Sequence, residues 1–166
     1  KPCFLELKKK YKGIVFKRRI SAPYTDIKSY MAGEDNGIEN SQILKEIDYF
    51  RRFYGCLKPA ADIFYDREAF YDRTDSSVRL TFDSNVLARG WDLELENGIY
   101  GERVLENGLY ILEVKTSGAM PMWIAEMLNE FKIYPISFSK YGTAYKNGLL
   151  TRENKKIITL GGEYCA

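Results

Sequence analysis

Leu109-Tyr110-Ile111-Leu112-Glu113-Val114-Lys115-Thr116 alternates as an extended strand does, because successive side chains of a strand point to opposite faces. Glu113 and Lys115 then share a face with Ile111, and Tyr110, Leu112 and Val114 form the apolar face opposite. Four other segments repeat the arrangement. Phe4-Leu5-Glu6-Leu7-Lys8-Lys9-Lys10 puts Glu6, Lys8 and Lys10 on one face, and Ile14-Val15-Phe16-Lys17-Arg18-Arg19-Ile20 puts Lys17 and Arg19 with Val15. With Tyr11-Lys12-Gly13 as a turn, these two read as a hairpin. Asp62 to Tyr71 is a third strand, with Ile63, Tyr65, Arg67 and Ala69 on one side. Val78 to Asp83 is a fourth, with Arg79, Thr81 and Asp83 polar, and Val86 to Arg89 extends the sheet.

Between the strands, Ser41-Gln42 opens a helix whose stripe of Ile43, Leu44, Ile47, Phe50, Phe53 and Tyr54 belongs to a core, and Gly55 stops it. Arg51 and Arg52 read as solvated. A second helix follows Pro121 and runs to about Lys132, with Ile124, Met127, Leu128 and Phe131 as its stripe. Residues 21 to 40 read as a loop with one helical turn near Ile27 to Met31, and Leu93 to Asn107 as an exposed excursion. Ile136 to Tyr141 reads as a short strand or turn, and everything from Asn147 onward as a tail.

A chain of 166 residues with 45% hydrophobic content supports one core, so one domain over 1–146 and a tail over 147–166 is the expectation. Its net charge of +2 balances 25 basic against 23 acidic residues, so bulk charge points neither to nucleic acid nor to a membrane surface. Histidine is absent, which removes Ser-His-Asp and Cys-His catalysis and every histidine-based metal site. Cys3, Cys56 and Cys165 have no metal-like spacing and suit a reducing, cytoplasmic setting with buried or idle thiols. No apolar run reaches the roughly 18 to 20 residues of a membrane span.

Collected by face, the polar set is Glu6, Lys8, Lys10, Lys17, Arg19, Tyr65, Arg67, Arg79, Thr81, Asp83, Glu113 and Lys115, with Ser139 and Lys140 nearby. A solvated sheet face is one account of it. Recurrent cations at alternate positions favour another, a sheet curled into an antiparallel barrel with this set inside. Like charges so confined repel by roughly 4 kcal/mol per pair at about 4 Å and an effective dielectric near 20. A phosphate chain relieves that repulsion, since guanidinium forks and lysines suit its oxygens. Glu113, Glu6 and Asp83 are then candidate ligands for Mg²⁺ or Mn²⁺. No GxxxxGK[ST] loop is present, so the chain is not a P-loop enzyme.

Six segments in order resemble the VTC (vacuolar transporter chaperone) catalytic domain, within the CYTH or triphosphate tunnel metalloenzyme group. They are Phe4-Leu5-Glu6-Leu7-Lys8, Phe16-Lys17-Arg18-Arg19, Phe64-Tyr65-Asp66-Arg67-Glu68-Ala69-Phe70, Val78-Arg79-Leu80-Thr81-Phe82-Asp83, Ile111-Leu112-Glu113-Val114-Lys115 and Phe138-Ser139-Lys140-Tyr141. The resemblance implies an α+β fold in which an antiparallel tunnel flanked by helices binds triphosphate or polyphosphate with a divalent metal. It implies transfer of the γ-phosphate of ATP to polyphosphate, with a non-catalytic polyphosphate or inositol-phosphate module, or a tripolyphosphatase, as alternatives. By position, Lys8, Lys17, Arg67, Arg79 and Lys140 are implied as the catalytic phosphate ligands. Tyr65 and Ser139 are implied as hydrogen-bond donors and Glu113 as the metal ligand, while Lys10, Arg19 and Lys115 join the substrate-binding set from their faces. Implied partners are ATP, triphosphate and polyphosphate, without nucleic acid, and with a membrane-bound partner or a further N-terminal segment. The family has strands before the first one here, bearing a catalytic lysine and an Arg-x-Arg pair that residues 1 to 20 do not replace, so the tunnel is expected to be incomplete at its N-terminal side. Ser137 stands where some members carry a lysine.

Overall fold

The computed structural model describes residues 2–55 and 57–150, together with the backbone of residues 158–159. Its secondary structure is α+β, with antiparallel sheets and helices arranged in two compact units, Lys1–Lys58 and Pro59–Ala166.

In the first unit, β1 (Pro2–Tyr11) and β2 (Ile14–Pro23) pair antiparallel, with Lys8 opposite Lys17 and Glu6 opposite Arg19. Their two-residue turn works because Lys12 and Gly13 both take the left-handed conformation, at φ 48° and 82°, which matches the twist of the flanking strands. Leu5, Leu7 and Ile20 face the other way and pack with α1 (Tyr24–Ala32) and α2 (Gln42–Tyr54) around a core of Leu7, Tyr30, Leu44 and Ile47. Ser41 caps α2 as expected, its hydroxyl accepting from the Leu44 N–H at 3.2 Å.

Two expectations here are corrected. Residues 21 to 40 are not mainly loop: β2 runs to Pro23, and a full α1 follows until Gly33 ends it in a left-handed cap. Its weak apolar pattern hides it, because one residue anchors it. Tyr30 is buried and donates its hydroxyl to Asp48 at 2.6 Å. Arg51 is not simply solvated either; it donates to the carbonyls of Tyr30 and Met31, at 3.0 and 3.2 Å, and stacks on the Tyr30 ring. It thus closes the C-terminal end of α1, where a cation is favoured. The last turn of α2 leaves Phe53 and Tyr54 exposed, packed on each other and, for Tyr54, on Phe50.

In the second unit, β4 (Arg79–Arg89) is central. β3 (Asp62–Tyr71) pairs along one edge; on the other, β6 (Ile111–Lys115) takes residues Arg79 to Asp83 and β5 (Tyr100–Arg103) takes Leu87 and Ala88. Between Phe64 opposite Leu87 and Asp66 opposite Ser84, β4 carries one residue more than β3, at a bulge where Asn85 has φ 49°. The extra residue keeps Arg79, Thr81 and Asp83 on the same face as Val86 and Ala88 beyond it. That face therefore has a polar half and a dry half. Val86, Ala88, Val104 and Ala144 fill the dry half, with Ile63, Ile111, Phe138, Leu149 and Leu150 packed around them.

Leu93 to Asn107 is corrected as well, since it contains β5, with Gly101 and Glu102 buried. Arg89 explains this. It is fully buried, pairs with Asp62 at 2.7 Å, donates to the carbonyls of Gly98 and Glu94, and lies against the rings of Phe64 and Tyr100. α3 (Met122–Glu130) follows Pro121 and buries Ile124, but Phe131 lies beyond its end and stays 67% exposed. Ile136 to Tyr141 is neither strand nor turn throughout: Ser139 caps α4 (Lys140–Lys146), its hydroxyl accepting from the Gly142 N–H. Asn147 ends α4, and β7 (Ile158–Thr159) adds an antiparallel edge to β5. Residues 151–157 and 160–166 of the expected tail lie outside the described residues, as do Cys56 and Cys165; Cys3 is a half-buried free thiol. Among the described residues no helix is long and apolar enough to cross a membrane.

Candidate functional site

The polar half of the β3–β4–β6 face is set by cross-strand register. Arg67 lies opposite Asp83, Thr81 opposite Ala69 on one side and Glu113 on the other, and Arg79 opposite Tyr71 and Lys115. Directly opposed residues of antiparallel strands share a face, so a single alternation on each strand gathers them. Lys140 arrives from the first turn of α4, which Ala144 anchors in the dry half.

Asp83 is the innermost group, its side chain 2% exposed. Arg67 donates to it through Nε at 2.6 Å and Nη2 at 2.7 Å, and Lys140 donates to the second oxygen. Burial alone raises the carboxyl's pKa, but the hydrogen bonds and charges of Arg67 and Lys140 outweigh burial and hold it below the usual carboxylate range. The same bond raises the Arg67 pKa further above its ordinary value. Both cations also lie over the Tyr65 ring, Arg67 at 5.0 Å and Lys140 at 4.4 Å from its centroid. Glu113 is half exposed, 3.1 Å from the Lys115 ammonium and 3.9 Å from Arg67 Nη2. Arg79 stacks on Tyr71, and its buried Nε and the buried Thr81 hydroxyl have no hydrogen-bond partner.

The second unit thus brings together Tyr65, Arg67, Glu113, Lys115 and Lys140, with Arg79 across from Lys115. Ser139 stands beside Lys140 but uses its oxygen to cap α4. Lys8, Lys10, Lys17 and Arg19 belong to the first unit, where the hairpin register puts all four on one face. There Lys17 pairs with Glu6 at 2.6 Å, and Arg19 stacks on Phe4 at 4.6 Å.

Two expected metal ligands are engaged otherwise. Glu6 is held by Lys17, and both oxygens of Asp83 are taken by Arg67 and Lys140. The grip on Asp83 was available in principle from the sequence, since pairing Arg67 with Asp83 follows once the β3–β4 register is known. Among the described residues no group of three or more carboxylates or thiols forms a metal cage. Glu113, the third expected ligand, also has cations beside it, Lys115 at 3.1 Å and Arg67 Nη2 at 3.9 Å.

Comparison with curated proteins gives no match. The family model described as the VTC domain matches residues 1–148, most of the chain and both cationic faces, and the protein therefore belongs to the VTC domain family.

Proposed function

We propose that this chain binds triphosphate and polyphosphate and transfers the γ-phosphate of ATP to a growing polyphosphate chain. Membership of the VTC domain family supports a polyphosphate-related function. The observation that carries the reading is the cluster on the second unit, where Arg67 and Lys140 are held side by side, both with N–H donors to spare, and Arg79 and Lys115 stand on the same face. Phosphate oxygens satisfy such donors, and arginine forks bind them bidentately. Lys8, Lys10, Lys17 and Arg19 on the first unit, and Tyr65, Lys115 and Ser139 on the second, are assigned to the same polyanionic ligand class. The antiparallel tunnel, expected to be incomplete at its N-terminal side, belongs to this proposal too.

In the transfer, Arg67, Arg79 and Lys140 spread the charge on the phosphoryl oxygens while the fixed face orients the chain, the two contributions that dominate such reactions. Glu113 would hold Mn²⁺ or Mg²⁺, and the ion would supply neutralising charge to the phosphates. One observation favours the second reading, a non-catalytic polyphosphate module: Lys115 already neutralises Glu113 at 3.1 Å, so binding need not wait for a metal.

The test incubates the chain with ATP and Mn²⁺ and separates the products for long-chain polyphosphate and inorganic phosphate. Long chains are expected. Inorganic phosphate alone marks a phosphatase, and neither product, with metal-free uptake of tripolyphosphate retained, leaves the binding module. Loss of uptake as well overturns the phosphate reading altogether.

A further inference from the structure

The anion of the site lies deeper than its cations. The Asp83 side chain is 2% exposed, Lys140 21% and Arg67 30%, so the carboxylate sits at the base and the two cations reach outward from it. Arg67 meets Asp83 side-on, through Nε and Nη2, with Glu113 3.9 Å from Nη2 on its outer side, and Nη1 is spent on neither carboxylate. Lys140 spends one ammonium N–H on Asp83 and keeps the others. One carboxylate on β4 therefore ties down side chains from β3 and α4. The bulge at Asn85 secures this base. It lets Val86 and Ala88 follow Asp83 on the same face, so the carboxylate borders a dry cluster, and Asn85 itself donates to Asp66 at 2.7 Å.

We propose that Asp83 is a positioning residue, holding Arg67 and Lys140 with their free donors turned outward so that both meet a transferring phosphoryl group already aligned. The proposal rests on the phosphate-transfer reading given above. Without Asp83 the two cations remain, and a polyanion still attracts them. What is lost is orientation, and misplacement of such groups by about 1 Å can lower turnover on the order of 100-fold. A metal ligand would not have both oxygens occupied by arginine and lysine.

The experiment compares the chain with Asp83→Asn and Asp83→Glu, with Arg67→Lys used to assign the Arg67 Nε–H resonance. Expected for Asp83→Asn is a fall of about 100-fold in kcat. The KM for ATP and the half-saturating Mn²⁺ should stay close to those of the parent, and metal-free tripolyphosphate binding should be kept or tightened. Asp83→Glu, which restores the charge, should recover part of kcat. An unchanged kcat, or a loss of kcat that excess Mn²⁺ repairs, overturns the proposal. So does equal inactivation of the Asn and Glu variants at unchanged fold. If Asp83→Asn does not fold, Asp83→Glu decides: a lowered kcat at unchanged tripolyphosphate binding supports the proposal, an unchanged kcat overturns it, and a rapidly exchanging Arg67 Nε–H in the ligand-free parent overturns it as well. Failure of the parent to bind tripolyphosphate would overturn the functional reading instead, and the two failures are told apart by that measurement.

Discussion

The two units carry cationic faces written in the same alternation, yet they hold their charges differently. On the β1–β2 hairpin the counter-ion is Glu6, 24% exposed, facing a Lys17 that is 47% exposed, while Lys8 stands directly opposite Lys17. On the β3–β4–β6 face the counter-ion is Asp83, almost wholly buried, with three donors on it. Water screens the first arrangement and cannot reach the base of the second. The hairpin is thus a face of adjustable charge, and the sheet is a face where Arg67 and Lys140 are fixed on a buried base while Glu113 and Lys115 stay exposed beside them.

The largest effect should follow from removing buried charge in the second unit. Arg89→Ala leaves Asp62 buried without its partner and cuts the tie to the carbonyls of Gly98 and Glu94. A loss of about 3 to 5 kcal/mol is expected, as for other broken buried pairs. Denaturant unfolding reads it, and a loss below about 1 kcal/mol, the range of exposed pairs, would make this buried pair no stronger than the exposed Glu6–Lys17 pair of the hairpin.

Next in size is a division of roles within the sheet face. On the proposed reading Arg79→Ala removes a phosphate fork, so tripolyphosphate binding should weaken by roughly 1.5 to 3 kcal/mol, as for charge-assisted hydrogen bonds. Glu113→Gln should leave metal-free binding intact or stronger, because a repelling carboxylate is gone, while turnover collapses. Calorimetric titration with and without Mn²⁺ separates the two. Equal loss of metal-free binding in both variants would contradict the division.

How much of this was legible before the structure follows from the kind of signal each residue gives. Alternation placed Lys8, Lys17, Arg67, Arg79 and Glu113 on the right faces, because period two survives wherever a strand is regular. It said nothing of Asn85, whose bulge shifts the parity of β4 and brings Val86 in line with Asp83. Arg89 was missed for a different reason. An arginine at a strand end reads as surface, and only the fold shows it sealed between Phe64 and Tyr100. α1 escaped because Tyr30 anchors it nearly alone, and β5 because glycine and charge dominate its four residues. Asp83 was read as a metal ligand from its chemistry, whereas register assigns it to Arg67.

On the hairpin, stability and binding should move in opposite directions. Lys8→Ala removes one of two like charges opposed across the strands, so the fold should gain up to about 1 kcal/mol while polyphosphate binding weakens. Glu6→Gln frees Lys17 from an exposed pair; the fold should change by less than about 1 kcal/mol, and polyphosphate binding should tighten at low salt and lose that gain as salt rises. Melting and titration at two ionic strengths check both, and a large destabilisation in either variant would make this face as fixed as the other.

The smallest effect contrasts the two hairpin turns and depends on pH. Lys12 and Gly13 turn β1 into β2 by backbone conformation alone, with no carboxylate in the turn. The β3–β4 turn instead depends on Asp72, whose Oδ1 accepts from the Thr74 hydroxyl and from the backbone N–H groups of Thr74 and Asp75, at 2.6, 2.7 and 2.9 Å. Those bonds, the Thr74 hydroxyl first, hold its carboxyl below the ordinary carboxylate range. A group whose folded pKa is depressed contributes stability that is complete above its unfolded value, about 3.9, and disappears as pH falls through the lower folded value. Acidification below about pH 4 should therefore speed amide exchange at Thr74 and Asp75, after correction for the intrinsic pH dependence of exchange, and leave the Lys12 and Gly13 amides unaffected. Asp72→Asn, which keeps an acceptor oxygen but cannot titrate over this range, should abolish the response. Equal acid sensitivity in both turns, or a response that survives Asp72→Asn, would show that the carboxylate does not hold the turn.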